Sequence, residues 1–138
     1  MRILYFFLAI SLAACNSDVP QSETITSPDT LAVQAKPGKI YSNERFKEVT
    51  VEKIGEHEFR IQGKGQIFEA SFSWVVEDGH QELQQGFEMT DAGAPEWGNF
   101  DFTVDVEKKS ANSTLLLILF ESSAEDGSRK YELPLFLY

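Results

Sequence analysis

Cysteine, histidine and basic residues are scarce in this 138-residue sequence, and the scarcity excludes several classes of protein. A single cysteine rules out an internal disulfide and any cysteine-based zinc cluster. Twelve Lys and Arg stand against 22 Asp and Glu, so the net charge is -10. Because a surface this acidic repels polyanions, we expect no nucleic-acid partner. Five prolines and nine glycines also exclude collagen-like and low-complexity chains.

Sequence motifs of the common catalytic sites are also missing. There is no Gly-x-Ser-x-Gly, phosphate-binding or dinucleotide-binding pattern, and no serine has an evident histidine partner. His57 and His80 are isolated, which makes a poor metal site. The acidic turn with Glu121, Glu125 and Asp126 lacks the alternating ligands of a calcium loop, so we expect a solvated hairpin tip. We therefore expect no enzyme, no cofactor and no metal.

The apolar run at the N-terminus is too short to cross a membrane. Arg2 precedes apolar residues 3–10, and small residues follow. About ten such residues form a helix of only ~15 Å, which is half of a bilayer core and typical of a secretory signal. Residues 12–15 (Leu-Ala-Ala-Cys) resemble the lipobox of bacterial lipoproteins. The resemblance implies cleavage directly before Cys15, a diacylglyceryl thioether on its sulfur and a further acyl chain on its amine.

Residues 1–14 are thus predicted to be a lipoprotein signal peptide, and lipid on Cys15 to attach the chain to a membrane. The alternative is a plain secretory signal followed by an incidental cysteine. Residues 16–30 contain no aromatic and are rich in Ser, Thr and Pro, which favours a flexible tether. We expect residues 15–30 to hold the domain outside the cytoplasm at a bacterial membrane. The short signal slightly favours a two-membrane envelope, with the protein at the outer membrane or in the periplasm.

Beyond residue 31 the apolar residues are spaced as in β-strands. Residues 66–76 alternate most clearly, and this alternation predicts that Phe68, Phe72 and Trp74 share one buried face. Phe68 could instead belong to a recognition edge, but the alternation favours a core position.

Other segments carry the same strand signals. Residues 100–106 alternate cleanly, whereas residues 115–120 are continuously apolar, as in a strand buried on both faces. Pro134 places the last strand at a sheet edge. About seven short strands and no helical period predict an all-β fold for residues 31–138, an immunoglobulin-like antiparallel β-sandwich.

Five short motifs occur in a fixed order in the second part of the sequence: FRIQG (59–63), IFEASF (67–72), EDG (77–79), EWGNF (96–100) and FESSAEDGS (120–128). Together they resemble the immunoglobulin-like domain of bacterial spore germination. The resemblance covers residues 31–138 and implies an immunoglobulin-like sandwich, an extracytoplasmic location and a structural or adhesive role. It implies no catalytic residues.

Trp97 is the candidate binding residue, because it lies in a loop of residues 90–98 that contains Gly and Pro. Its ring could stack on a sugar or on a partner's side chain. Alternatively, it closes the end of the core, since Trp is usually well buried.

We expect a non-catalytic, lipid-anchored binding or structural module of the bacterial cell envelope. Two alternatives remain open. A cell-wall glycan-binding module would need Trp97, Tyr41 and Tyr138 to be exposed. An inhibitor or accessory subunit of an envelope enzyme would use the acidic surface to meet a basic partner.

Overall fold

Seven β-strands form the regular structure of residues 38–138, the part of the chain that the computed structural model describes. A 3₁₀ turn, Phe68–Ala70, precedes the third strand. The strands are β1 (Phe46–Lys53), β2 (Glu58–Gly65), β3 (Ser71–Asp78), β4 (Gln81–Met89), β5 (Gly98–Asp105), β6 (Leu115–Ser122) and β7 (Arg129–Phe136).

The strands form two antiparallel sheets. One sheet has three strands in the order β1-β2-β5, and the other has four in the order β4-β3-β6-β7. The predicted immunoglobulin-like sandwich of about seven strands is therefore confirmed. β7 is an edge strand and contains Pro134, as expected for a residue that cannot donate a backbone hydrogen bond.

Aromatic rings fill the space between the sheets. Phe72 of β3 is fully buried, and its ring centroid lies 4.9 Å from that of Phe100, 5.4 Å from that of Phe46 and 6.1 Å from that of Phe102. Tilted and edge-on rings at these distances attract each other beyond the gain from burial alone. Aromatic packing therefore joins the two sheets without a disulfide.

β6 is buried on both faces, as its continuous apolar run predicted. Leu117 and Leu119 point into the core between the sheets. Ile118 and Phe120 point to the opposite face, where they form a second small buried cluster with Val75 of β3. The outer face of the four-stranded sheet is therefore apolar at its centre.

The prediction that Phe68 is a core residue is wrong. Its side chain is 72% exposed, and β3 begins only at Ser71. Glu69 and Ala70 both adopt a φ of 57°, in the left-handed region. These two residues form a turn that ends the alternation, so the buried face of β3 starts at Phe72.

The predicted signal peptide (1–14), the lipidated Cys15 with its tether (15–30) and residues 31–37 of the predicted domain lie outside the described residues. Within residues 38–138, no helix is both long enough and apolar enough to cross a membrane.

Candidate functional site

The loop that carries Trp97 connects β4 to β5 and is fixed by hydrogen bonds at several points. The Asp91 carboxylate accepts from the Asn99 backbone N–H at 2.6 Å and from Asn99 Nδ2 at 2.8 Å. Gln66 Nε2 donates to the Pro95 carbonyl oxygen at 2.6 Å. These bonds tie the loop to the start of β5 and to Gln66.

Trp97 is only partly buried, so it is neither a full core residue nor an open platform. Lys47 Nζ lies 4.1 Å from the centroid of its ring, a distance typical of a cation–π contact. The cation comes from β1, 50 positions earlier in the chain, and no local sequence signal could have indicated it. One face of the indole is therefore already occupied.

A lysine ammonium group also lies against the ring of each of the other two aromatic residues named for glycan binding. Tyr41 is partly buried, with Lys39 Nζ 4.7 Å from its ring centroid. Tyr138 is 42% exposed, with Lys53 Nζ 4.3 Å from its centroid. In each case the ammonium group occupies a ring face on which a sugar would stack.

Asp91 makes the stability of this loop dependent on pH. Hydrogen bonds from the side chain and then the backbone of Asn99 lower the pKa of its carboxyl group. A lowered folded-state pKa stabilises the fold fully above the ordinary value of about 3.9, and this stabilisation is lost as the pH falls through the folded pKa.

We expect Asp91→Asn to lower the urea midpoint of the full chain at neutral pH. The difference from the unchanged protein should begin to shrink below about pH 4, where the carboxylate becomes protonated in the unfolded state, and should vanish below the lowered pKa of the folded state. Glu96→Gln, which changes an exposed carboxylate in the same loop, is the control and should shift the midpoint little. A pH-independent effect of Asp91→Asn would contradict this explanation.

Three large apolar side chains are exposed together at one end of the four-stranded sheet, and we call Phe68, Phe87 and Met89 the apolar patch. They are 72%, 70% and 64% exposed. In the β3–β4 register Phe87 pairs with Ser73 and Met89 with Ser71, on the face that points away from the core. Clusters of large, exposed apolar side chains are typical of interaction surfaces.

A β-bulge explains why the sequence did not reveal this patch. Leu83, Phe87 and Met89 are separated by four and two positions, so in a regular strand they would share one face. The β3–β4 register shifts between Val76 and Glu77, however, so β4 has an extra residue there. Leu83 packs against the core, while Phe87 and Met89 point to solvent.

Two open hollows border the patch. One, of about 490 Å³, is lined in part by Phe68, and the other, of about 630 Å³, by Phe87 and Arg129. Ser73 and Ser122 line both hollows, and their Oγ atoms are 3.1 Å apart. The hollows are therefore neighbours on the outer face of the sheet.

Glu121 belongs to the first hollow rather than to the solvated hairpin tip. Burial raises the pKa of its carboxyl group, and the positive charge of Arg45, whose Nε lies 3.6 Å away, opposes this shift. The Arg45 guanidinium also lies 4.9 Å from the ring centroid of Tyr131. Arg45 thus links an acidic group and an aromatic ring beside the patch.

Glu125 and Asp126 are exposed at the β6–β7 turn, as predicted. His80 is exposed in the β3–β4 turn, whereas His57 Nδ1 lies 3.3 Å from Tyr138 Oη. The described residues contain no group of three His, Cys, Asp or Glu side chains placed to hold a metal ion.

The charge of the domain is distributed unevenly. Residues 65–107, which include β3, β4 and β5, contain no Lys or Arg. β4 and β5 are edge strands of the two sheets and contact each other across the sandwich, so one side of the domain is strongly acidic. The ten acidic residues of this segment are Glu69, Glu77, Asp78, Glu82, Glu88, Asp91, Glu96, Asp101, Asp105 and Glu107.

Basic residues from elsewhere in the chain neutralise only part of this charge. Arg129 forms ion pairs with Glu77, near the end of β3, and with its cross-strand neighbour Glu82, near the start of β4. Within the part of the chain that the structure describes, Glu69 and Glu88 have no ion-pair partner, and they are the acidic neighbours of the patch. Glu69 therefore adds unpaired negative charge next to the patch, and Glu88 adds it on the opposite face of β4.

Comparison with known proteins identifies the family. Residues 49–128 match the family model Gmad2, the immunoglobulin-like domain of bacterial spore germination. No curated protein and no solved structure matches this sequence. The match covers more than half of the chain and agrees with the sandwich described above, so the chain belongs to the family of immunoglobulin-like domains of bacterial spore germination.

Proposed function

We propose that this protein is a non-catalytic binding module of the bacterial cell envelope, anchored by lipid on Cys15, that binds a partner protein through the apolar patch. The observation that carries the binding role is the exposure of Phe87 and Met89 on the outer face of the sheet, with the exposed Phe68 beside the hollow that their cross-strand partners Ser73 and Ser71 line. Large apolar side chains surrounded by polar ones are the usual composition of a protein interface.

The anchor is supported by the lipobox-like residues 12–15 and by membership of a bacterial domain family. A tether of about 15 residues would keep the domain only ~20 Å from the membrane on average. Confinement of this kind raises the effective concentration of the domain near other envelope proteins. A modest intrinsic affinity would then be sufficient for binding in the cell.

Partner proteins are favoured over cell-wall glycans as the ligand. Glycan binding depends on open aromatic rings, and cations already cover a face of Trp97, Tyr41 and Tyr138. The acidic side of the domain and the apolar patch together suit an accessory role toward a basic protein. Trp97 as a binding residue stays a prediction.

Site-specific photo-crosslinking in intact cells tests this proposal. A photoreactive amino acid placed at Phe87 of the full chain should yield a discrete crosslinked protein. The matched control is Ile40, which is 66% exposed and lies outside the patch, and it should not yield that product.

Equal crosslinking from both positions would contradict a binding role for the patch. Cosedimentation of the full chain with purified sacculi tests the glycan alternative separately. Salt-resistant pelleting that Trp97→Ala abolishes would favour glycan binding over protein binding.

A further inference from the structure

β4 is an edge strand of the four-stranded sheet, and no other described residue pairs with its outer side. Within the described residues its backbone forms hydrogen bonds only with β3. Its nine residues, QELQQGFEM, include no Pro and no Lys, the residues that commonly block an edge. Alternate N–H and C=O groups of such a strand point outward and are able to pair with another chain.

On the far side of the same sheet, by contrast, the β7 edge is protected. Pro134 removes one donor from that strand, and Asn43 Nδ2 donates to the carbonyl oxygens of Tyr131 and Glu132 at 2.7 and 3.3 Å. The Phe136 N–H donates to Tyr41 Oη at 3.2 Å. Residues before β1 therefore occupy positions that an added strand would need.

Both edges of the three-stranded sheet are also partly blocked by other residues of the chain. On β1, Tyr41 and Val49 exchange two backbone hydrogen bonds at 2.8 and 3.0 Å. On β5, both backbone groups of Asn99 are bonded to Asp91: the N–H donates to its carboxylate at 2.6 Å, and the carbonyl oxygen accepts from its N–H at 3.0 Å. The β-bulge at Leu83 disturbs only the start of β4. Among the described residues, positions 84–89 of β4 are therefore an edge segment that no other part of the chain covers.

The side chains of β4 suit an incoming strand. Phe87 and Met89 present apolar surface on the outer face, and Glu88 between them points to the opposite side. Position 86 has no room for a side chain, because a Cβ there would lie 2.5 Å from Cζ2 of the buried Trp74 ring. Gly86 is thus required by packing against Trp74, and the contacts offered to an incoming strand come from Phe87, Glu88 and Met89.

We propose that the β4 edge binds an extended segment of a partner protein in which apolar and basic residues alternate, so that the segment adds a fifth strand to the sheet. This inference rests on the proposed binding function and specifies its partner. Apolar residues of the segment would lie beside Phe87 and Met89. Basic residues between them would face Glu88, which has no ion-pair partner among the described residues. Recognition through an exposed sheet edge uses backbone bonds for affinity and alternate side chains for specificity.

Charge argues against a second copy of this chain as the occupant. Antiparallel pairing of two β4 strands centred on Gln85 would place Glu82 opposite Glu88 of the other copy, and like charges that face each other across strands are destabilising. Both copies would also carry a net charge of -10. A basic partner removes both penalties.

The test uses the full chain in nanodiscs of zwitterionic lipid and a synthetic peptide of about ten residues that alternates Val and Lys, long enough to cover one strand. We expect the peptide to bind, and the matched Val–Glu peptide not to bind. Raising the salt from about 0.1 M to about 1 M shortens the Debye length from ~10 Å to ~3 Å and should weaken binding.

Variants locate the binding surface. Phe87→Lys, with Met89→Lys as a second variant, should weaken binding of the Val–Lys peptide at least about tenfold, as for a central apolar contact. Phe136→Lys is the control, because Phe136 is half-exposed on β7, at the other edge of the same sheet. It should bind the peptide normally, and all three variants should retain the unfolding midpoint of the unchanged protein.

Hydrogen exchange distinguishes strand addition from contact with the face alone. If the peptide adds a strand, amides of β4 that exchange rapidly in the free protein should become protected. Peptide binding without that protection, or absence of binding, would overturn the inference. A partner crosslinked at Phe87 would still support the proposed function in either case. A concentration-dependent dimer that Phe87→Lys disrupts would assign the edge to a second copy and overturn the basic partner.

Discussion

Phe72→Ala is expected to lower the free energy of unfolding by about 3–5 kcal/mol, whereas Phe68→Ala, four positions earlier, leaves it nearly unchanged. Phe72 is fully buried and contacts the rings of Phe46, Phe100 and Phe102. Removing a buried Phe side chain costs about 3–5 kcal/mol, out of a total stability of about 5–15 kcal/mol. Phe68 is mostly exposed, so its removal should change the free energy of unfolding by less than about 0.5 kcal/mol.

Urea unfolding of the full chain, followed by tryptophan fluorescence and circular dichroism, measures both changes. The binding measurements should give the reverse ranking. Phe68→Ala should weaken crosslinking at Phe87 while the protein stays folded. Comparable losses of stability in the two variants would show that Phe68 packs in the core in solution.

This pair of residues shows how far the period-two pattern predicts the fold. In β5 and β6 the apolar spacing correctly identified the buried residues, because burial on one or both faces imposes that spacing directly. The left-handed turn at Glu69 and Ala70 has no such signature, since neither residue is a glycine. The extra residue of β4 at Leu83 also could not be predicted from the sequence, because a bulge is defined by the register with the partner strand.

The candidate site was only partly predictable for a related reason. The sequence places Trp97 in a loop, but the Lys47 ammonium that covers its ring belongs to a distant strand. The sequence itself shows that residues 65–107 contain ten acidic residues and no Lys or Arg. That these charges form one acidic surface follows from the topology, which brings the β4 and β5 edges to the same side of the sandwich. Composition thus revealed the charge, and only the fold revealed the surface that carries it.

Cys15→Ala is expected to abolish lipidation of the protein completely. Cys15 is the only cysteine of the chain, so no other thiol is present to form the thioether. Cells fed an alkyne analogue of palmitate should label the unchanged protein and leave the variant unlabelled. The control Ser17→Ala alters the tether beside Cys15 and should label normally.

The mass of the mature protein gives a second, independent readout of the anchor. The unchanged chain should begin at Cys15 and carry two or three acyl chains, enough for a stable anchor, because a single chain binds a membrane only reversibly with an association constant of about 10⁴ M⁻¹. Cys15→Ala should instead retain residues 1–14 or lack lipid. An unchanged protein that is cleaved without lipid would contradict the anchor and favour a plain secretory signal. The domain would then reach its partner by diffusion, and the β4 edge would need a higher intrinsic affinity because the effective concentration supplied by the tether would be lost.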